Sequence, residues 1–346
     1  MKKDERQKIL LNIIESEKEI QLKDFFEKGE KFEKRTLIRD LNELLEKQLI
    51  IKRIDWKNTF YSLNNQWKIL REYDIDSYFS EEYLRRDIIE NFNFWVFETL
   101  KINLFTEEEW KYLNQLHSKF IENLSKYDSQ TLINKEFERI MIEFSRKSSS
   151  IEWNTYSLLS TEALLKNHIK DLTKTPEETQ MILNHKDAFN EIIQNREDFL
   201  KISLKDIEYI HSVLTKKIWI TQNIRKSPVR IAGTKYKPLD NEFQIKEAME
   251  NLVSLINSKE SFFEQSFLIL LLISYIQPFE DWNKRTARTL SNAILLANNS
   301  IPLSYRVIDN VEYIKATILF YEQNNISYFK KLYITQVEDA VNNFFC

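Results

Sequence analysis

Apolar positions at the start of the chain recur at helical spacing and then switch to alternation. Ile9, Leu10, Ile13 and Ile14 form one stripe and predict a helix over residues 4–17. Leu22, Phe25 and Phe26 predict a second, short helix. Leu37, Ile38, Leu41, Leu44 and Leu45 predict a third over residues 34–47, with one buried face. Residues 50–63 then read as strand, a Lys57-Asn58 turn, and strand. Further on, Val229 and Ile231 alternate with their neighbours and predict a short strand. The apolar run Phe267 to Tyr275 is too short to cross a bilayer, so no membrane association is expected.

Composition narrows the class. The 346 residues include only two glycines, Gly29 and Gly233, where about 7% is usual. That scarcity excludes a glycine-rich phosphate loop of the Rossmann or P-loop kind and, with abundant Leu, Ile, Glu and Lys, points to a mostly helical protein. A single cysteine, Cys346, excludes a disulfide framework and fits a reducing cytoplasm. The opening Met1-Lys2-Lys3-Asp4 has no apolar segment after it, so no secretion signal is expected. His117, His168, His185 and His211 show no metal-ligand spacing. His211 lies in a periodic stretch and reads as a packed or capping residue.

The most informative stretch is Gln277-Pro278-Phe279-Glu280-Asp281-Trp282-Asn283-Lys284-Arg285-Thr286-Ala287-Arg288. It resembles the signature of the Fic (Fido) family, His-Pro-Phe-x-Asp/Glu-Gly-Asn-Gly-Arg-x-x-Arg, and departs from it at Gln277, Trp282 and Lys284. The family's usual reaction transfers AMP from ATP to a protein hydroxyl. The resemblance implies that ATP and Mg²⁺ are the ligands, with Asp281 holding the metal as a hard oxygen donor. It implies that Asn283, Lys284, Arg285 and Arg288 form the nucleotide or anion cradle at a helix N-terminus. Gln277 stands in the slot of the general base and cannot accept the substrate's proton. Loss of such a base costs on the order of 100- to 10,000-fold in rate. The run Asn-Lys-Arg-Thr is similar to the Doc toxin branch, which transfers phosphate and keeps its histidine.

Two more segments carry the resemblance. Ser148 and Glu152, in Ser-Ser-Ser-Ile-Glu-Trp, resemble the family's inhibitory helix motif, whose glutamate pairs with the second motif arginine, here Arg288. Trp153 departs from that motif's Gly/Asn slot. Residues 222–233 resemble the target-docking flap, implying that Val229, Arg230 and Ile231 offer an edge to an extended protein segment. Gln222 stands in a glycine slot there. Glu178 to Ile192 and Asp206 to Ile218 look like family helices.

The N-terminal pattern of three helices and a hairpin resembles a winged helix-turn-helix. Residues 34–44 are similar to the recognition helix of DeoR-type regulators, with Glu33 as a weaker cap than the serine usual there. Residues 1–63 hold 15 Lys/Arg against 13 Asp/Glu, a modest excess for a nucleic-acid binder. The placement matters more than the sum. Lys31, Lys34, Arg35, Thr36 and Arg39 crowd the third helix, and Lys52, Arg53 and Lys57 sit on the wing, positions suited to DNA contact. The same fold also serves protein docking, with those charges simply solvated.

The expected architecture is therefore mostly α: a Fic-fold helical core with a small β-hairpin flap, plus an N-terminal winged helix-turn-helix. The expected divisions are 1–63, a linker at 64–80, a helical lead-in at 81–147 and the Fic-like domain at 148–346. The leading function is a cytoplasmic DNA-binding regulator with an anion- or nucleotide-holding pseudoenzyme core. The alternatives are a divergent protein adenylyltransferase or Doc-like phosphotransferase, and a module that binds polypeptides at flap and wing. A homodimer is left open.

Overall fold

A computed structural model describes residues 3–26, 32–47, 49–56 and 58–346. The chain divides into two compact units: Met1–Glu72 with Gln323–Ser327, and Tyr73–Glu322 with Tyr328–Cys346.

In the first unit, α1 (Lys3–Glu17) is followed by β1 (Glu19–Gln21), a 3₁₀ turn (Asp24–Phe26), α2 (Lys34–Glu46), β2 (Ile50–Asp55), β3 (Asn58–Leu63) and α3 (Asn65–Leu70). The sheet is antiparallel with order β1-β3-β2. Leu10, Ile14, Leu37, Leu41, Leu44 and Ile50 bury their side chains in one core, as the helical stripes require. Beneath it Asp40, fully buried, takes two hydrogen bonds from Arg6, the shorter 2.7 Å. Two details differ from the sequence expectation. The stretch holding Leu22, Phe25 and Phe26 forms no second α-helix, because Glu19–Gln21 pairs with β3 and leaves only a 3₁₀ turn behind it. The hairpin turn sits one residue early: Asp55 pairs with Asn58, and Trp56 takes φ 54° at the tip.

The second unit is helical: α4 (Ile75–Ser80), α5 (Trp95–Thr99), α6 (Glu107–Ser125), α7 (Gln130–Ser150), α8 (Leu158–Asn167), α9 (Pro176–Gln194), α10 (Leu204–Leu214), α11 (Glu242–Ser258), α12 (Phe262–Ile276), α13 (Asn283–Ala297), α14 (Asn310–Gln323) and α15 (Ser327–Asn343). Side-chain oxygens set several starts. Thr106 with Glu109, Thr175 with Glu178, and Ser203 with Asp206 each close a reciprocal capping box. At the centre is α12, whose sequence is apolar on every side and which is buried from Phe263 to Ile276 apart from Gln265. It packs most extensively on α13, which is buried apart from Lys284. The six residues joining these two helices are the motif loop, so the fold places that loop between its two most buried elements. Among the described residues, no helix is long and apolar enough to cross a membrane.

The strand expected over Val229–Ile231 does not form. Residues 228–235 run without a ladder, and the nearby pairing is a single parallel bridge between Asn91 and Lys237. Residues 64–80 carry α3 and α4 rather than a bare linker, and much of 81–94 is irregular.

Candidate functional site

The motif loop is pinned by its own side chains. Gln277 ends α12 with φ 52°, its amide nitrogen donating to Ser274 O at 2.6 Å. Its Oε1 accepts from Asn283 Nδ2 at 2.9 Å. Asn283 also closes the loop on Phe279, taking the Phe279 N–H on Oδ1 and donating to the Phe279 carbonyl, both at 2.9 Å. Gln277, in the slot of the base, is thus a buried structural amide with both polar atoms engaged.

Trp282 caps α13 at φ 66°, a left-handed conformation that glycine adopts without strain. A bulky residue there costs on the order of 1–2 kcal/mol. Its ring turns inward, only 2% of the residue is exposed, and the Arg285 guanidinium lies 3.7 Å above it. Arg285 also reaches the exposed Asp281 at 3.2 Å. The Arg285 Nε is buried without a partner.

Arg288 is fully buried. Its Nε donates to Ser148 Oγ at 3.0 Å and its Nη2 to the Ser148 carbonyl at 2.8 Å. Both terminal nitrogens meet Glu152 Oε1 at 3.3 Å, so the fold joins residues 136 positions apart. Lys284 holds the other Glu152 oxygen at 3.1 Å. Burial alone raises the Glu152 carboxyl, but Arg288, then Lys284 and Arg285, outweigh it and bring it down to about 2. The carboxylate is charged at neutral pH and lies where a phosphate would meet these cations.

The bridge to Lys284 is not evident from the sequence, although Lys284 and Arg288 are one helical turn apart and share a face. His185 likewise gives no sequence signal of its place in the site. Its Nδ1 donates to Met181 O at 2.9 Å, which leaves Nε2 to accept from Ser148 Oγ at 3.1 Å. Burial drives its pKa down to about 3, with the charges of Arg285 and Arg288 adding to the fall. His211 is packed, stacked 3.7 Å from Phe279 and 3.2 Å from Thr286 Oγ1, and burial lowers it to about 4.

The flap is tied to the motif loop by Arg225. Its backbone N–H donates to Pro278 O at 3.0 Å, its Nε to Gln277 O at 2.6 Å, its Nη1 to Ser227 O at 2.8 Å and its Nη2 to Leu239 O. Val229 and Ile231 are half-buried and Arg230 is exposed, beside a groove of about 610 Å³ that Tyr83, Leu84 and Glu90 help to line. Gly233 turns the flap at φ 80°.

In the first unit Lys34, Arg35 and Arg39 are exposed along α2, with Thr36 half-buried. Glu33 makes no side-chain cap bond. Lys52 is exposed, whereas Arg53 is paired with Glu19 at 2.9 Å and Asp55 at 3.3 Å. Lys31 and Lys57 lie outside the described residues.

Residues carrying a phosphate-binding chemistry are therefore Lys284, Arg285, Arg288 and the N-terminus of α13. For a divalent ion the fit is narrower: among the described residues no group of three His, Cys, Asp or Glu could hold a metal. Asp281 alone suits Mg²⁺ only together with a ligand's own phosphates, a common arrangement for that ion.

Residues 201–295 match the model of the Fic/DOC family. A curated relative, the protein adenylyltransferase Fic of Aedes aegypti, is 29% identical over 178 residues, covering 49% of this chain. The match spans only 35% of that relative's length. Among solved structures, a Fic-domain-containing signaling protein from Bacteroides thetaiotaomicron aligns with TM-score 0.55 and 20% identity, over 67% of this chain and 96% of the other. Fic-1 from C. elegans aligns with TM-score 0.58 and 19% identity, over 71% and 79%. Together these support a Fic-type domain related to protein adenylyltransferases, carried on the mostly helical Fic fold.

Proposed function

We propose that this chain is a regulator whose Fic-type core holds an anion or nucleotide without transferring it, joined to a DNA-binding winged helix. The observation that carries the silent core is Gln277. An amide has no useful basicity, and both polar atoms of this one are engaged, by Ser274 and Asn283. The two imidazoles packed at the motif, His185 and His211, are fully buried and so are poor substitutes for a base that must reach a target hydroxyl. Glu152 further occupies the cations that a terminal phosphate needs. The DNA half is supported by the exposed Lys34, Arg35 and Arg39 on an amphipathic helix with Asn42 on the same open face. The single cysteine fits a reducing, cytoplasmic setting.

Incubation of the purified protein with α- and γ-labelled ATP in a lysate should leave no label on protein. The same preparation should bind DNA from its own upstream region more tightly than random DNA. Robust AMP or phosphate transfer sinks the silent core; equal, weak binding to every fragment sinks the DNA half.

A second reading, a divergent protein adenylyltransferase or Doc-like phosphotransferase acting on protein hydroxyls, is favoured by the retained Asp281, Asn283, Arg285 and Arg288. Under it the groove beside Val229, Arg230 and Ile231 receives the target, and Asp281 holds Mg²⁺ with the phosphates of ATP.

A further inference from the structure

A cavity of about 550 Å³ opens between α7 and α9. No residue of the motif loop lines it, and neither Ser148 nor Glu152 does. Its apolar share comes from one face of each helix. Phe137 and Met141 stand one turn apart on α7, and Phe189 and Ile193 one turn apart on α9. Met141 and Phe189 are buried, whereas Phe137 and Ile193 remain partly in contact with solvent. The four residues give the cavity an apolar floor.

The charge around that floor is one-sided. Lys135, Lys186 and Arg196 line the cavity against a single acid, Glu138. Among the described residues, no carboxylate lies within ion-pair distance of any of the three cations. Elsewhere in this unit, shielded cations carry their own counter-charge: Arg86 meets Glu322 at 3.1 Å, Lys330 meets Glu109 at 2.7 Å and Arg306 meets Asp339 at 2.9 Å. Lys186 and Arg196 are half-buried, so each loses part of its hydration without an anion in return. Each is held by one backbone carbonyl. Lys186 Nζ donates to Leu165 O at 2.7 Å, and Arg196 Nε to Ile193 O at 3.5 Å. That leaves two protons of Lys186 and both terminal nitrogens of Arg196 for a ligand. The Arg196 contact also covers a carbonyl at the C-terminal end of α9, whose dipole would otherwise oppose an anion. Gln130 and Thr131 close another side, and the first turn of α7 that they belong to holds no acid.

An apolar floor beneath unpaired cations selects a ligand that is apolar at one end and anionic at the other. The volume lies within the range of about 300–1,000 Å³ usual for small-molecule sites. A protein partner would need a broader surface, about 800 Å² on each side. We propose that the α7–α9 cavity binds a small organic acid, an aromatic or aliphatic body bearing a carboxylate. The body rests on Phe137, Met141, Phe189 and Ile193, and the carboxylate faces Arg196, Lys135 and Lys186. The site does not depend on whether the motif loop is active.

The test titrates sodium phenylbutyrate, and separately the neutral phenylbutanol, into the full chain, read by calorimetry. The acid should bind. The alcohol, of nearly the same shape, should bind at least about tenfold more weakly, because it lacks the charge-assisted hydrogen bonds. Lys135→Gln with Arg196→Gln should bring the acid down to the level of the alcohol and leave the alcohol unchanged. Asn190→Trp, at an exposed position on the cavity wall, should abolish binding of both by filling the space. It gives an independent answer if the double variant does not fold. Equal affinity for acid and alcohol, acid binding that survives the variants, or no saturable binding of phenylbutyrate to the wild type overturns the proposal. A polyglutamate peptide that displaces phenylbutyrate and binds more tightly than it does overturns the small-molecule assignment and makes this face a protein-docking surface.

Discussion

Cations stand in opposite circumstances in the two units. Along α2, Lys34, Arg35 and Arg39 are exposed; Arg39 comes no nearer to Asp40 than 3.9 Å and keeps 62% of its side-chain surface. Along α13, Lys284 and Arg288 are both spent on Glu152, and Arg285 on Asp281. The difference follows from solvent. Exposed charges cost little to leave unpaired, so a surface helix can wait for a polyanion. A buried guanidinium cannot wait, so the core carries its own counter-charge. On the proposed reading the first unit receives an anion from outside, whereas the second already holds its own counter-charge in Glu152.

The largest effect should come from undoing the core's departures together. Gln277→His with Trp282→Gly, Lys284→Gly and Glu152→Gly restores the base, the bare helix N-terminus and the open pocket. AMP transfer should rise by a factor on the order of 100 to 10,000 over the starting chain. Gln277→His alone should recover far less, since Glu152 still fills the cations. Equal gain from the single change would mean that Glu152 and Trp282 obstruct nothing.

Breaking the buried pair should separate the units next. Glu152→Ala leaves Arg288 charged and without its carboxylate, a change that costs about 3–5 kcal/mol in comparable buried pairs. Replacing Arg35 and Arg39 by alanine should move stability by no more than about 0.5 kcal/mol. It should instead weaken DNA binding and lower the salt-dependence slope by about 2, one for each phosphate left unneutralised. Chemical denaturation and salt-titrated binding of the two variants would show whether their effects really divide this way.

Acid should act on the core. His185 titrates at about 3 when folded against 6.5 as a free side chain. Below about 6.5 the unfolded chain takes up a proton that the folded chain refuses, so stability falls with pH until about 3. Glu152, at about 2 against 4.5, contributes fully above about 4.5 and loses its contribution as pH falls towards 2. Denaturant midpoints should therefore drop from neutral pH to pH 4, and His185→Gln should flatten the upper part of that fall. The chain's four histidines all lie beyond residue 72, so the first unit has no such imidazole term. An unchanged slope in the variant would assign the acid sensitivity elsewhere.

Much of this was legible because periodicity and motif spacing record burial. The α2 stripe followed from apolar spacing except at Ile38, which the helix turns to the surface, the hairpin followed with its turn one residue off, and the proximity of Glu152 to Arg288 followed from the motif pattern. What stayed hidden has specific causes. Leu22, Phe25 and Phe26 show helical spacing, yet the preceding three residues gain more by pairing with β3 than by opening a helix. Val229 and Ile231 alternate, but no second strand lies beside them to complete a ladder. Trp153 and Trp282 read as losses of essential small residues. Both take a positive φ, 70° and 66°, a conformation glycine adopts without strain. At Trp282 packing offsets the strain, since the ring is buried under Arg285; Trp153 stands 84% exposed and has no such cover. The Lys284 bridge escaped because a lysine replacing glycine reads as added bulk before it reads as a partner.

The claim that the core is closed by its own carboxylate is tested most directly by thermal unfolding with and without ATP, in wild type and in Glu152→Ala. A ligand at one hundred times its Kd stabilises by about 2.7 kcal/mol, so an opened pocket should give a clear shift. The account predicts a rise in Tm with ATP that is larger in Glu152→Ala than in wild type. Equal shifts in the two proteins would contradict it.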